Sequence, residues 1–223
     1  MELQPVNRFP KIFLAVLFLL FASPLFAHNI NYALEKAPAD RVITYYLGLG
    51  FQHIIPLGYD HILFVVGLCL LSTKIKTILW QATAFTIAHS ITLALSMKNI
   101  IVLPPAIVEP FIALTIVFVA IENLLLSELK PWRIILVFLF GLIHGLGFAT
   151  ALNEIGLPRN QFLTSILSFN LGVELGQIAI IIAVFGLLIF PFRNRSGYRK
   201  IVVYPLSIMI AIIAAFWTIQ RLG

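Results

Sequence analysis

The sequence predicts an all-α membrane protein, a bundle of about six transmembrane helices that follows an N-terminal signal sequence. Two observations predict this fold class. The 223-residue chain is 61% hydrophobic and only 11% charged, whereas soluble domains carry about 25% charged residues. Its apolar residues also fall into long segments, each near the roughly 20 residues that a helix needs to cross a bilayer. The length fits one helical domain without an added soluble module.

Residues 1–27 are typical of a secretory signal peptide, with a basic start, an apolar core and small residues at a suitable cleavage position. An uncleaved anchor helix is the alternative interpretation. We expect residues 28–52 to form a segment on the outer, periplasmic side and residues 53–223 to form the six-helix transmembrane domain. Cleavage would leave His28 as the new N-terminus, where the free amine and the imidazole can chelate a metal together.

The order of apolar segments also predicts the topology. Lys and Arg number eight in and beside the loops after the first, third and fifth spans, against five in the other connecting segments. By the positive-inside rule, this asymmetry predicts that the mature N-terminus faces outward from the bacterial inner membrane. We expect the spans near residues 55–73, 77–97, 105–126, 133–152, 163–190 and 201–220.

The charge and cysteine content exclude several kinds of partner. The net charge of +6 comes from basic residues in short loops, which indicates contact with membrane lipid rather than with nucleic acid. The single cysteine, Cys69, excludes an internal disulfide and a thiolate metal cluster.

Ionisable residues inside the apolar segments are the main indication of function. An ionisable side chain costs about 2.5–3.5 kcal/mol at the centre of a membrane helix. Eight such residues in one small protein are tolerable only if they face one another, water or an ion. The sequence therefore predicts an intramembrane polar site, and the eight residues are His53, Asp60, His61, His89, Glu109, Glu122, His144 and Glu174.

The densest motif holds His53, Asp60 and His61. On a continuous helix, the two histidines would lie roughly 12 Å apart along the axis, too far for one ion. Pro56 and Gly58 between them favour a break that folds His53 back towards His61. Imidazole nitrogens and carboxylate oxygens bind divalent transition metals, so this motif predicts metal ligands. Alternatively, Asp60 caps the first membrane helix.

The second span places Thr86, His89 and Ser90 on one helix face, at i, i+3 and i+4. Hydrogen bonding between helices is one interpretation, since Ser and Thr commonly serve that purpose in membranes. Metal ligation by His89 is the other.

In the fourth span, Gly141 and Gly145 flank His144 and form a GxxxG pair, which allows another helix to approach closely and leaves room beside the imidazole.

The third span carries Glu109 near its outer end and the pair Glu122 and Asn123 roughly 20 Å further along the helix. These carboxylates cannot share an ion, but they can mark two stations along one path. The alternative is that Glu109 is hydrated at the interface and that Glu122 is a buried, hydrogen-bonded acid.

The fifth span has a polar stripe of Asn170, Glu174 and Gln177 at i, i+4 and i+7. A glutamate at this depth can bind a cation or relay a proton; a hydrogen-bonded core cluster is the structural alternative. Gly172 and Gly176 form a second close-packing pair, and such pairs are also compatible with a homo-oligomer.

Over roughly residues 48–220, the chain resembles the HupE/UreJ family of hydrogenase and urease accessory membrane proteins. That family is regarded as nickel or cobalt permeases, so the resemblance implies cation uptake. The matching pieces are His53 with Gly58-Tyr59-Asp60-His61, Phe85-Thr86-Ile87-Ala88-His89-Ser90, Glu122-Asn123, Gly141-Leu142-Ile143-His144-Gly145-Leu146-Gly147-Phe148-Ala149 and Phe169-Asn170-Leu171-Gly172-Val173-Glu174-Leu175-Gly176-Gln177.

The leading functional hypothesis is a secondary transporter for a divalent transition metal, Ni²⁺ or Co²⁺, with a site open to the outer side. The expected metal-binding residues are His28, His53, Asp60, His61, His89, His144 and Glu174. The residues expected along a polar path, or in proton coupling, are Ser90, Glu109, Glu122, Asn123, Asn170 and Gln177.

Two other functions fit the same residues. Histidines around a Zn²⁺ ion with an open coordination position can activate water, so an intramembrane zinc hydrolase acting on lipid is the first alternative. An accessory subunit that delivers metal to a partner protein is the second. The hydrolase would hold one fixed metal, whereas a transporter needs exchangeable binding along a path.

Overall fold

The computed structural model describes residues 34–195 and 197–223. The predicted signal sequence and His28 lie outside these residues. Within them the chain forms helices and contains no β-strand, which confirms the all-α fold class. The seven main helices are α1 (Ala39–Ile54), α2 (Tyr59–Leu70), α3 (Ile75–Met97), α4 (Pro105–Leu125), α5 (Arg133–Ile155), α6 (Phe162–Val184) and α7 (Tyr204–Leu222).

Two helices include wider, π-helical turns. Helix α6 continues through such a turn at Phe185–Ile189 and ends at Phe192, and another turn at Arg199–Val203 leads into α7. A short 3₁₀ turn, Arg159–Gln161, precedes α6.

The chain is a multi-pass membrane protein. Helices α3 to α7 are each long and apolar enough to cross a bilayer, and the bent pair α1–α2 makes a sixth candidate span. Large apolar side chains are exposed along the outer faces of these helices, as contact with lipid requires. On α6 they recur every four residues, at Leu163, Leu167, Leu171 and Leu175.

The first predicted span differs from the structure. Residues 55–73 were expected to form one helix, but α2 has only 12 residues, or about 18 Å of helix. The axis bends by 68° between α1 and α2, at a break that contains Pro56 and Gly58. Helix α1 also continues through residue 53, where we expected the transmembrane domain to begin.

Helix α1 belongs to the bundle because one of its faces is apolar or small. Val42, Tyr46, Gly50 and Ile54 recur at i+4 and are buried. Glycine allows the helices to approach: a side chain at Gly50 would collide with the backbone carbonyl of Phe169 on α6. Sixteen residues are too few to span a bilayer alone, so hydropathy did not identify α1 as part of a span.

Helices α3 and α5 meet through the predicted GxxxG pair. A Cβ atom at Gly141 would stand 2.9 Å from the Cβ of Ala88, and one at Gly145 would collide with the carbonyl oxygen of His89. The absence of these side chains lets α5 lie directly against the backbone of α3, which brings His89 and His144 into one layer.

The loops define two ends of the bundle. Thr73, Lys130 and Arg193 line one cleft, so the loops after α2, α4 and α6 meet at what we call the basic end. At the opposite end, the Tyr46 hydroxyl donates a hydrogen bond to the Gly156 carbonyl at 2.7 Å. Helices α3 and α5 both terminate at this opposite end. His89 lies eight residues before the end of α3, about 12 Å along the helix axis, and His144 lies eleven residues before the end of α5, about 16 Å along the axis.

Candidate metal centre

Three histidines from three helices converge near the middle of the bundle. Each of His53 (α1), His61 (α2) and His89 (α3) offers a ring nitrogen, and the three nitrogens lie within 4.8 Å of one another. Two ligands on one ion, each about 2.1 Å from it, are at most about 4.2 Å apart. Small rotations of the rings would therefore bring the three nitrogens to coordination distance.

The break between α1 and α2 creates this convergence. It places the rings of His53 and His61 with their centroids 4.7 Å apart, although a continuous helix would separate them by about 12 Å. Aromatic rings enclose the group: Phe148 lies 3.9 Å from the His53 ring, and Phe85 lies 5.7 Å from the His61 ring, centroid to centroid. Such a shell limits water access to the imidazoles.

The orientation of His89 is set by a partner on α6. Asn170 donates its amide N–H to the carbonyl of Ile166 at 2.8 Å, so its Oδ1 atom is left as an acceptor. This oxygen lies 3.1 Å from Nδ1 of His89. Nδ1 therefore carries the proton, and the lone pair of a neutral His89 is on Nε2.

His144 is oriented in the same manner from α4. The Thr115 hydroxyl donates its proton to the Ile112 carbonyl at 2.7 Å and lies 2.9 Å from Nε2 of His144. The hydroxyl oxygen therefore accepts from Nε2–H, which leaves the lone pair on Nδ1. The His144 ring lies 5.0 Å from that of His61, beside the group of three rather than within it.

The facing nitrogens have no hydrogen-bond partner although they are buried. Buried polar atoms are normally paired, and a metal ion would satisfy one nitrogen of each imidazole that binds it. The donor set of neutral imidazoles suits Ni²⁺, Co²⁺, Cu²⁺ and Zn²⁺. The unpaired atoms are Nε2 of His53, Nδ1 and Nε2 of His61, Nε2 of His89 and Nδ1 of His144.

Asp60 lies between the histidines and the surface. One carboxylate oxygen accepts a hydrogen bond from the backbone N–H of His61 at 3.2 Å and lies 3.5 Å from Nδ1 of His61. The other lies 3.6 Å from a guanidinium nitrogen of Arg221, and the two side chains are 22% and 24% exposed. Asp60 is not the N-cap of α2, a position held by Gly58. The Asp60–Arg221 pair thus stands where the cluster approaches the surface.

Glu174 lies in a polar row between α3 and α6, below the histidines on the side of the basic end. The Thr83 hydroxyl donates to Glu174 at 2.6 Å, and the Thr86 hydroxyl to Gln177 at 3.1 Å. Glu174 also has a buried carboxylate oxygen without a partner. The polar row consists of Thr83, Thr86, Asn170, Glu174 and Gln177.

The acidic residues of α4 lie away from the histidines. Glu122 forms a buried ion pair with Arg133 at 2.9 Å, and Asn123 donates to the Gly67 carbonyl at 2.8 Å. Glu109 is exposed, and its backbone carbonyl accepts from Arg221 at 3.2 Å. Ser90, for its part, donates to the Thr86 carbonyl of its own helix.

Sequence reasoning missed the structural roles of several polar residues. Three polar residues in the apolar spans were not singled out: Gln81, Thr83 and Thr115. The neighbouring helix that each side chain faces depends on the rotation of its own helix about its axis. Arg221 was assigned to a connecting segment, and Arg133 to a loop edge. Arg133 is in fact 1% exposed, which no charge count along the chain could reveal.

The family described as HupE / UreJ protein matches residues 29–221, nearly the whole chain. The chain belongs to the HupE/UreJ family. No curated protein and no solved structure gives a significant match. The histidines that carry the resemblance in the sequence, His53, His61, His89 and His144, are the ones that the bundle brings together in this HupE/UreJ protein.

Proposed function

We propose that this protein is a secondary permease for a divalent transition metal, Ni²⁺ or Co²⁺. The observation that carries the proposal is the convergence of unpaired nitrogens from His53, His61 and His89 within 4.8 Å. Such an arrangement is costly in a membrane unless an ion or a proton occupies it, and membership of the HupE/UreJ family supports metal as the ligand.

Neutral imidazoles bind a metal without adding charge. Neutral ligands favour exchange, because the ion keeps its double positive charge and is stabilised only by ligation and by nearby carboxylates. Asp60 supplies such a carboxylate, although Arg221 lies beside it. An arriving cation would have to compete with the guanidinium, and we propose that separation of Asp60 from Arg221 opens the site to the outer side.

The polar row supports transport rather than a fixed metal. Beyond His89 it offers a carboxylate oxygen of Glu174, and Gln81 of α3 offers an amide oxygen nearer the basic end; both atoms are buried and unpaired. These groups continue from the cluster towards the basic end. We propose that Glu174 receives the ion or a coupled proton as the ion leaves the histidines.

The driving force would be an ion gradient or a partner, because the sequence contains no P-loop motif. The distribution of Lys and Arg supports a basic end in the cytoplasm and a mature N-terminus outside the inner membrane, after removal of a signal peptide. In this orientation the histidines receive metal from the periplasm and the polar row leads inward.

The test is uptake by purified protein reconstituted into liposomes that contain a metal-sensing dye. We expect saturable entry of Ni²⁺ or Co²⁺, which His61→Ala abolishes and which Thr44→Ala, an exposed change on α1, leaves intact. Entry at the rate of protein-free liposomes would contradict the proposal. A tightly held, non-exchanging Zn²⁺ with metal-dependent release of lipid products would instead support the intramembrane hydrolase.

A further inference from the structure

The basic end contains an open cleft of about 790 Å³, between the start of α3, the loop before α5 and the end of α6. Four cationic side chains line it: Lys74, Lys76, Lys130 and Arg193. All four are exposed, and none of the residues that line the cleft is acidic. So many positive charges around one concave surface favour an anionic ligand.

The wall of the cleft is apolar. Trp80, Ile134 and Phe190 contribute to it, and Trp80 is 60% exposed although it stands on a helix that packs in the bundle. Arg193 is held over the ring of Phe190, with 4.9 Å between the guanidinium carbon and the ring centroid. One surface therefore presents a cation and an aromatic ring together, as at a membrane–water interface.

The position of the cleft identifies the ligand. It lies at the ends of membrane-spanning helices, where lipid headgroups meet the protein. A phospholipid whose phosphate lay among the four cations would have its acyl chains along Ile134 and Phe190. We propose that this cleft binds an anionic phospholipid, such as phosphatidylglycerol. A zwitterionic lipid would bring a second cation into a cleft that has no carboxylate to receive it.

This site is separate from the histidine cluster. Gln81 is the lining residue nearest to the cluster along α3, and it lies eight residues from His89, about 12 Å along the axis. The proposal does not depend on metal transport and would hold if the protein moved no metal.

Trp80 offers a direct test, because bromine on a lipid quenches nearby tryptophan fluorescence. The chain has three tryptophans, so the protein is prepared with Trp132→Phe and Trp217→Phe and placed in nanodiscs of unlabelled phosphatidylcholine. A minor fraction of brominated phosphatidylglycerol, or of brominated phosphatidylcholine, is then included. We expect the brominated phosphatidylglycerol to quench Trp80 severalfold more strongly at equal fraction.

The preference should disappear in the triple variant Lys74→Gln, Lys130→Gln, Arg193→Gln. It should persist in Lys98→Gln, which removes a cation at the opposite end of the bundle. Equal quenching by the two lipids, or a preference unchanged in the triple variant, would overturn the proposal. If the two lipids quenched equally while the parent protein, but not the triple variant, bound inorganic phosphate, the cleft would be a site for free phosphate instead of lipid.

Discussion

Nδ1 of His89 and Oδ1 of Asn170 lie 3.1 Å apart, and this contact fixes which nitrogen of His89 is free. The amide of Asn170 cannot rotate without loss of its bond to Ile166, so the imidazole keeps its proton on Nδ1. The lone pair of Nε2 is then held in the direction of His53 and His61. Asn170 thus orients the cluster for a cation without having to contact the cation itself.

We predict that Asn170→Ala weakens metal binding although it removes no ligand. Loss of a residue that orients a metal-binding histidine typically costs about 10–100-fold in affinity. The measurement is equilibrium titration of Ni²⁺ into detergent-purified protein. Asn160→Ala is the matched control, because the Asn160 amide donates to a carbonyl at the exposed end of the bundle. Equal affinity in both variants would show that His89 needs no orientation or does not bind metal.

Thr115 should act on His144 in the same way. Thr115→Val keeps the shape of the side chain and removes the acceptor for Nε2–H, so the imidazole can adopt the other tautomer and turn. We expect metal affinity to fall about tenfold, and Thr115→Ser to restore it. Because serine keeps the hydroxyl of threonine and lacks only its methyl group, a loss in both variants would indicate packing rather than orientation.

Glu174 should separate binding from transport. Glu174→Gln keeps the hydrogen bond from Thr83 but removes the charge that would draw a cation or a proton along the polar row. We expect Ni²⁺ affinity in detergent to stay close to that of the parent protein, while the rate of uptake into liposomes falls at least tenfold. Parallel losses of affinity and rate would place Glu174 among the ligands of the cluster.

The Glu122–Arg133 pair should contribute to stability rather than to metal binding. Removing one partner of a buried ion pair typically costs about 3–5 kcal/mol, whereas replacing both with apolar residues is often tolerated. We therefore expect Arg133→Met to lower the unfolding temperature in detergent strongly, and the double variant Glu122→Leu, Arg133→Met to recover much of the loss. Metal affinity should be unchanged in the double variant. A lower affinity there would make Glu122 an inner metal station.

Close contact between α3 and α5 should be required for the cluster. In Gly145→Ala the new methyl group would collide with the His89 carbonyl, and overpacking of this kind costs about 1–3 kcal/mol. We expect lower thermal stability together with weaker metal binding, because α3 moves away from α5. Gly48→Ala is the control, since a side chain there meets no atom within 4 Å. Similar behaviour of the two variants would contradict this account.

Much of the fold follows from hydropathy. The predicted spans 77–97 and 105–126 agree with α3 and α4 to within two residues at each end, because lipid imposes long apolar segments that a sequence displays directly. Helix α1 was not recognised as part of the bundle for the opposite reason. It is short, and its buried face is defined by Gly50, which meets Phe169 of α6, and by Tyr46, which bonds to Gly156 in the loop after α5.

The candidate site was predictable as a set of histidines but not as a geometry. A histidine in an apolar segment is conspicuous, and Pro56 and Gly58 indicated the break that unites His53 with His61. The residues that orient the rings were not identified, because a threonine such as Thr115 is common in membrane helices and only the rotation of α4 shows that it faces His144. The pairing of Arg221 with Asp60 joins residues 161 positions apart, which no local pattern encodes.

The most direct test of the central claim is metal binding by the parent protein and by His53→Ala, His61→Ala and His89→Ala, each stripped of metal and titrated with Ni²⁺ and Co²⁺. The account predicts one saturable, reversible site in the parent protein and a large loss of affinity in all three variants. Unchanged affinity in the three variants, or no binding by the parent protein, would contradict it and would make the cluster structural.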